Sequence, residues 1–227
     1  MDTNHGHKPE YIEGTSTPIE YTKSGWPIFA IGSDMAYISI DDFGNTSLLM
    51  IMRGIEPYKG HYALPGGHTD PTETTLEGAI RETEEEVNIS LNKDVTSLSH
   101  VNSTPGRDPN KPTMASIHYH LTDKPQKPQP GDDAAEASHV RLNETFNRPL
   151  AFGVRDDLAN LYNNLAERAY YNLGFFIKVL DGSSNEAIAR SVKEIFDITN
   201  DPKYDIITLE KIVDNVKAYR SGFNIWE

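Results

Sequence analysis

Three glutamates, Glu82, Glu85 and Glu86, stand at i, i+3 and i+4 of a helical stretch, so their carboxylates share one face. Like charges so placed repel. Glu85 and Glu86 also fall near the helix C-terminus, where the backbone dipole opposes negative charge. A divalent cation with oxygen ligands would compensate; the plainer reading is a solvated acidic face, which is common in Glu-rich helices. Pro65, Gly66 and Gly67, just upstream, form a turn whose backbone can approach a ligand closely.

The elements that must hold these groups follow from periodicity and turn chemistry. Thr74 and Glu77 have the spacing of a capping box and predict a helix beginning at about Thr75. Leu76, Ala79, Ile80, Thr83 and Val87 fall on one side of it and form its buried stripe. Upstream, strands are expected at 26–31, 35–40 and 47–52, with a hairpin turn at 41–45. Residues 57–71 read as a Gly- and Pro-rich loop. Downstream, strands are expected at 95–101 and 115–121, a Pro-rich connector at 124–133 and a short strand at 139–142. From about residue 150 the apolar spacing turns helical, predicting helices over 156–179, 185–198 and 208–219. The expected organisation is a flexible lead (1–17), an α+β domain (18–150) and a helical C-terminal extension (151–227).

The segment from Gly66 to Ile89 resembles the Nudix box. Gly67, Glu73, the pair Arg81–Glu82, the pair Glu85–Glu86 and Ile89 all fall at the box's fixed positions. Two positions depart. Thr83 replaces an aliphatic residue, where its methyl can still face the core, and Asn88 replaces a glycine, where Asn is the next-best left-handed helix cap. The resemblance implies an α/β/α sandwich around a mixed sheet. It also implies that Glu82, Glu85 and Glu86 bind Mg²⁺ or Mn²⁺ with the Gly66 carbonyl, and that Glu85 and Glu86 are catalytic. Glu73 and Arg81 would pair to brace the loop. The metal would neutralise and orient a diphosphate and help activate water. His68 is read as an incidental loop residue.

Flanking residues resemble the ADP-ribose pyrophosphatase branch of that family: Arg53, Pro57, Gly60 and 63–67 before the box, then 105–109 and 131–137 after it. The expected reaction is hydrolysis of a nucleoside diphosphate derivative, ADP-ribose to AMP and ribose 5-phosphate. Glu136, with Asp132 and Asp133 behind it, is the candidate for a catalytic carboxylate outside the box, unless that acidic loop merely turns the chain. Arg53 and Arg107 are candidate diphosphate or ribose contacts, or else surface arginines. Tyr58 and Tyr62 are candidates for stacking on adenine.

Composition bounds these readings. With no cysteine the chain has no disulfide, thiolate metal site or cysteine nucleophile. A net charge of -13 argues against nucleic acid as a partner, since phosphate binding needs clustered Lys and Arg. No apolar run approaches a membrane span, and residues 1–10 lack the apolar core of a secretory signal, so a cytoplasmic protein is expected. Three other readings are compatible with the box. One is a ligand sensor regulating NAD metabolism, though the tail is mildly acidic and has no basic recognition helix. Another is an enzyme acting on NADH or nucleoside triphosphates. The third is a non-catalytic interaction protein. The tail could pack on its own domain or form a homodimer.

Overall fold

The computed structural model describes residues 10–15, 17–131 and 134–222. The lead expected at 1–17 lies partly outside them. Within them, strand β1 (Glu10–Tyr11) pairs antiparallel with β2 (Pro18–Ile19). Buried Thr17 donates its hydroxyl to the Asp108 carbonyl at 2.7 Å. From Glu10 onward the lead is therefore a pinned hairpin rather than a free tail.

The two strands expected at 26–31 and 35–40 are one, β3 (Ala30–Ile40), with Trp26 outside it and 72% exposed. Gly32, Ser33 and Asp34 look like a turn by composition. They are held extended by parallel pairing with β8 (Thr113–Thr122), from Ala30↔Thr113 through Ser39↔Thr122. On its other side β3 pairs antiparallel with β4 (Thr46–Arg53) and with β6 (Gly66–His68). β5 (Tyr62–Ala63) and β9 (Ala134–Arg141) pair with β4, and β7 (Thr96–Asn102) closes the β8 edge. The result is a seven-stranded mixed sheet. β9 begins well before the expected 139, because residues 134–137 join the ladder through Ile51↔Ala137 and Met52↔Glu136.

Helix α1 (Thr75–Val87) lies on the face of the sheet that carries Ser33 and His118; the His118 ring Nε2 is 3.2 Å from the Thr75 hydroxyl. Gly78, Ala79, Thr83 and Val87 are its buried positions. The Thr83 hydroxyl satisfies itself on the Ala79 carbonyl at 2.6 Å, which leaves its methyl for the core. Asn88 ends the helix in the left-handed region at φ 53.

The opposite face receives α2 (Val154–Tyr171). The single helix expected over 156–179 breaks after Tyr171 into α2 and α3 (Leu173–Val179). Asn172, at φ -147, closes one with its N–H and caps the other with its side chain. α4 (Asn185–Thr199) and α5 (Leu209–Arg220) follow. α4 packs on the 41–45 hairpin, where Thr46 bonds Ser191 and Glu194. One hydrophobic cluster runs from the sheet through α2 and α4. Among the described residues no helix is long and apolar enough to cross a membrane.

Candidate functional site

α1 starts where its chemistry must be aimed. The Thr74 hydroxyl accepts from the Glu77 N–H while the Glu77 carboxylate accepts from the Thr74 N–H, a closed capping box worth about 1 kcal/mol. Ahead of it the turn is held by Arg81. Its guanidinium donates to both Glu73 oxygens (3.1 and 2.7 Å), to the His68 carbonyl (3.1 Å), to Glu82 (2.9 Å) and to Glu85 (3.0 Å). One arginine thus ties the loop to the acidic face of the helix and offsets part of the repulsion among its carboxylates.

The two box glycines are required by close approach. A Cβ on Gly67 would meet the Glu82 carboxyl carbon at 2.4 Å, and one on Gly66 would meet the Ser33 carbonyl at 2.6 Å. That space lets Glu86 accept a hydrogen bond from the Gly66 N–H at 2.9 Å. Glu82 and Glu86 then line a cavity of about 570 Å³ whose other walls come from β3, β4, the 105–113 loop and the start of α2. Burial pushes the Glu86 carboxyl up to about 8, opposed by the Gly66 N–H and reinforced by Glu82 and Asp34.

Asp34 was not singled out in the sequence. It lines the same cavity from β3, and burial raises its carboxyl to about 7, with Arg107 pulling it back. The signal was present: a carboxylate inside a strand that is otherwise apolar from Met35 onward. His68 also lines the cavity and is held below the usual histidine range, mainly by burial.

Arg53 and Arg107 both reach this cavity. Arg53 donates to the Pro57 carbonyl at 2.8 Å and lies over the Phe152 ring at 4.8 Å. Arg107 is only 6% exposed and donates to Asp157 of α2 at 2.9 Å. Glu85 stands outside the cavity wall, 59% exposed and paired with Arg81.

Glu136 is not brought to the cleft. It is exposed on β9 opposite Met52, whereas the cavity takes Ile51 and Arg53 from the alternate face of β4. Asp132 and Asp133 lie outside the described residues. Tyr62 is buried beneath the Arg148 guanidinium, and Tyr58, at φ 65, packs edge-on against Phe152; neither lines the cavity. A larger cavity of about 810 Å³, between the 41–45 hairpin, α2 and α4, contains none of the box residues.

The model of the NUDIX domain matches residues 35–162, more than half of the chain. The chain belongs to the Nudix family. An ADP-ribose pyrophosphatase of Methanocaldococcus jannaschii is 39% identical over 99 residues, 44% of this chain and 57% of that protein. The ADPR responsive transcriptional repressor NtrR of Acinetobacter baylyi is 26% identical over 156 residues, 67% of this chain and 60% of that one. The chain therefore spans less than two thirds of either curated relative. The crystal structure of a MutT/nudix family protein from Enterococcus faecalis shares the fold, with a TM-score of 0.69 at 19% identity over 88% of this chain and 82% of that one.

The donor set of this Nudix box suits a hard divalent cation. Glu82, Glu86 and Asp34 bring carboxylate oxygens to one cleft, and two of them have pKa values raised in a way that a cation would reverse. Among the described residues no three His, Asp or Glu side chains already converge on a single point. Arg81 holds Glu82 and Glu85 instead.

Proposed function

We propose that the chain is a divalent-cation-dependent Nudix pyrophosphohydrolase that cleaves ADP-ribose, adding water across the diphosphate to give AMP and ribose 5-phosphate. The observation that carries this reading is the cleft itself. It sets the box carboxylates Glu82 and Glu86 beside Arg53 and Arg107, so acidic oxygens for a cation share a cleft with guanidinium groups for a diphosphate. The likeness to an archaeal ADP-ribose pyrophosphatase, 39% identical over 99 residues, supports the choice of substrate.

In this reading Glu82, Glu86 and the Gly66 carbonyl would hold Mg²⁺ or Mn²⁺, and Glu85 would join them by turning in from Arg81. The metal supplies charge neutralisation and a lowered pKa for water. The chain's own residues do the rest. Arg107 and Arg53 bind and orient the diphosphate oxygens, and Arg81 with Glu73 fixes the loop so that Glu82 and Glu86 keep their places. Glu86, anchored by the Gly66 N–H, is held facing the cleft as one of the cation's carboxylates.

The test is turnover across a panel of ADP-ribose, NAD, NADH, nucleoside triphosphates and diadenosine compounds with Mg²⁺. The expected result is the highest kcat/KM for ADP-ribose, abolished by EDTA. Faster cleavage of another compound would reassign the substrate. One observation favours a second reading, a ligand-responsive regulator: the repressor relative matches two thirds of this chain. A DNA shift assay at stated salt, with and without ADP-ribose, separates the two.

A further inference from the structure

The proposed anion site is not complete within the box and the strands, because one of its two arginines is held by α2. Asp157, in the first turn of α2, is fully buried and accepts from two side chains, with a third ring nitrogen nearby. Its Oδ2 accepts from Arg107 Nη2 at 2.9 Å, its Oδ1 accepts from Asn102 Nδ2 at 2.6 Å, and the His100 ring Nε2 lies 3.5 Å from Oδ1. Gly153, at the helix start, lets the group close up, since a Cβ there would press on Asn102 and Arg107 at 3.2 and 3.4 Å.

Arg107 also lines the cleft. Nη2, the atom that Asp157 holds, is 3.7 Å from Asp34 of the cleft wall, and Nε is buried beside Gly153 with no hydrogen-bond partner. Arginine is a rigid planar fork, so anchoring one corner sets the direction of its remaining donors.

We propose that Asp157 is a positioning residue of the anion subsite: it locks Arg107 in the cleft wall, where the guanidinium would meet a diphosphate, which makes α2 part of the substrate-binding machinery. This rests on the pyrophosphohydrolase reading for its substrate class but not for its test. Without Asp157 the guanidinium is free to swing, and the ligand must then bear the ordering that the fold now supplies.

The test measures equilibrium binding of inorganic pyrophosphate and of α,β-methylene ADP-ribose, both with Mg²⁺, by titration calorimetry, alongside steady-state turnover of ADP-ribose. The variants are Asp157→Asn, Arg107→Met and the double variant. The expected result is a Kd raised about tenfold in Asp157→Asn, with KM raised alike and kcat within about threefold of wild type. The double variant should bind no more weakly than Arg107→Met alone. If Asp157→Asn does not fold, the double variant, which leaves no unpaired buried charge, and Asp157→Glu, which keeps the charge but moves the carboxylate, carry the comparison. Asp157→Glu is then expected to weaken binding, and the double variant to match Arg107→Met. Binding within twofold of wild type in Asp157→Asn or Asp157→Glu overturns the proposal. So do additive losses, or a wild type that binds neither probe. A wild type that binds but does not turn over refutes the hydrolase reading alone and leaves the Kd comparison to decide this one.

Discussion

The Glu86 carboxylate and the Gly66 backbone N–H are joined by a 2.9 Å hydrogen bond that spans from the last turn of α1 to the start of β6. The bond fixes a buried carboxylate against the box's glycine turn. It places the acidic helix and the loop in one rigid unit, with Arg81 as the second clamp.

Glu86→Gln keeps the shape and can still accept from Gly66, but it removes the charge. Turnover of ADP-ribose is expected to fall about 100-fold or more, with the metal-free melting temperature unchanged or raised, because an acid strained by burial is gone. Kinetics and a thermal melt of the same preparation check it. A variant with near-normal kcat would remove Glu86 from the metal and catalytic roles.

Gly67→Ala and Gly66→Ala should separate function from folding. At Gly67 the new methyl meets the far end of the Glu82 side chain, which can swing away, so the fold survives and activity is lost. At Gly66 it meets the backbone of Ser33 and Asp34, which cannot move cheaply, and stability should drop by about 1–3 kcal/mol. Urea unfolding of both proteins checks the contrast; equal stability losses would contradict it.

Glu73→Gln removes the strongest partner of Arg81 while leaving Glu82, Glu85 and Glu86 untouched. Outer partners of metal ligands typically contribute about 10–100-fold in metal affinity. The expected outcome is a Mg²⁺ requirement shifted upward by that order, with kcat recovered at saturating metal. A loss of kcat that added Mg²⁺ does not restore would assign Glu73 a direct role.

Burial holds the His118 and His120 imidazoles below the usual histidine range of 6.5, so the unfolded chain takes up protons before the folded one does. Their contribution is fully present above about pH 6.5 and declines as the pH falls below it. The His118→Asn, His120→Asn double variant should lose stability less steeply than wild type between pH 6.5 and 5. Melting temperatures across that range check it, and parallel slopes would contradict it.

The box was legible because its side chains sit at fixed helical and turn spacings, which local chemistry reports directly. The capping pair Thr74–Glu77 and the Asn88 terminus could be read for the same reason. β3 was split in the sequence reading because Gly32, Ser33 and Asp34 have turn propensity, and only pairing with a strand far along the chain overrides it. Glu136 is a candidate only through the resemblance of residues 131–137 to a family segment, and strand alternation turns it away from the cleft. Asp157 gave no sign of its role, since an acid in a helix's first turn is ordinary; its burial against Arg107 exists only once α2 docks on β7.

The central claim is that the cleft hydrolyses ADP-ribose rather than only binding it. The most direct test incubates the purified chain with ADP-ribose and Mg²⁺, resolves the products by chromatography, and runs Glu86→Gln and EDTA controls in parallel. AMP and ribose 5-phosphate in equal amounts, from the wild type alone, are the predicted result. Intact ADP-ribose, in a preparation that calorimetry shows to bind it, would contradict the claim and favour a sensor.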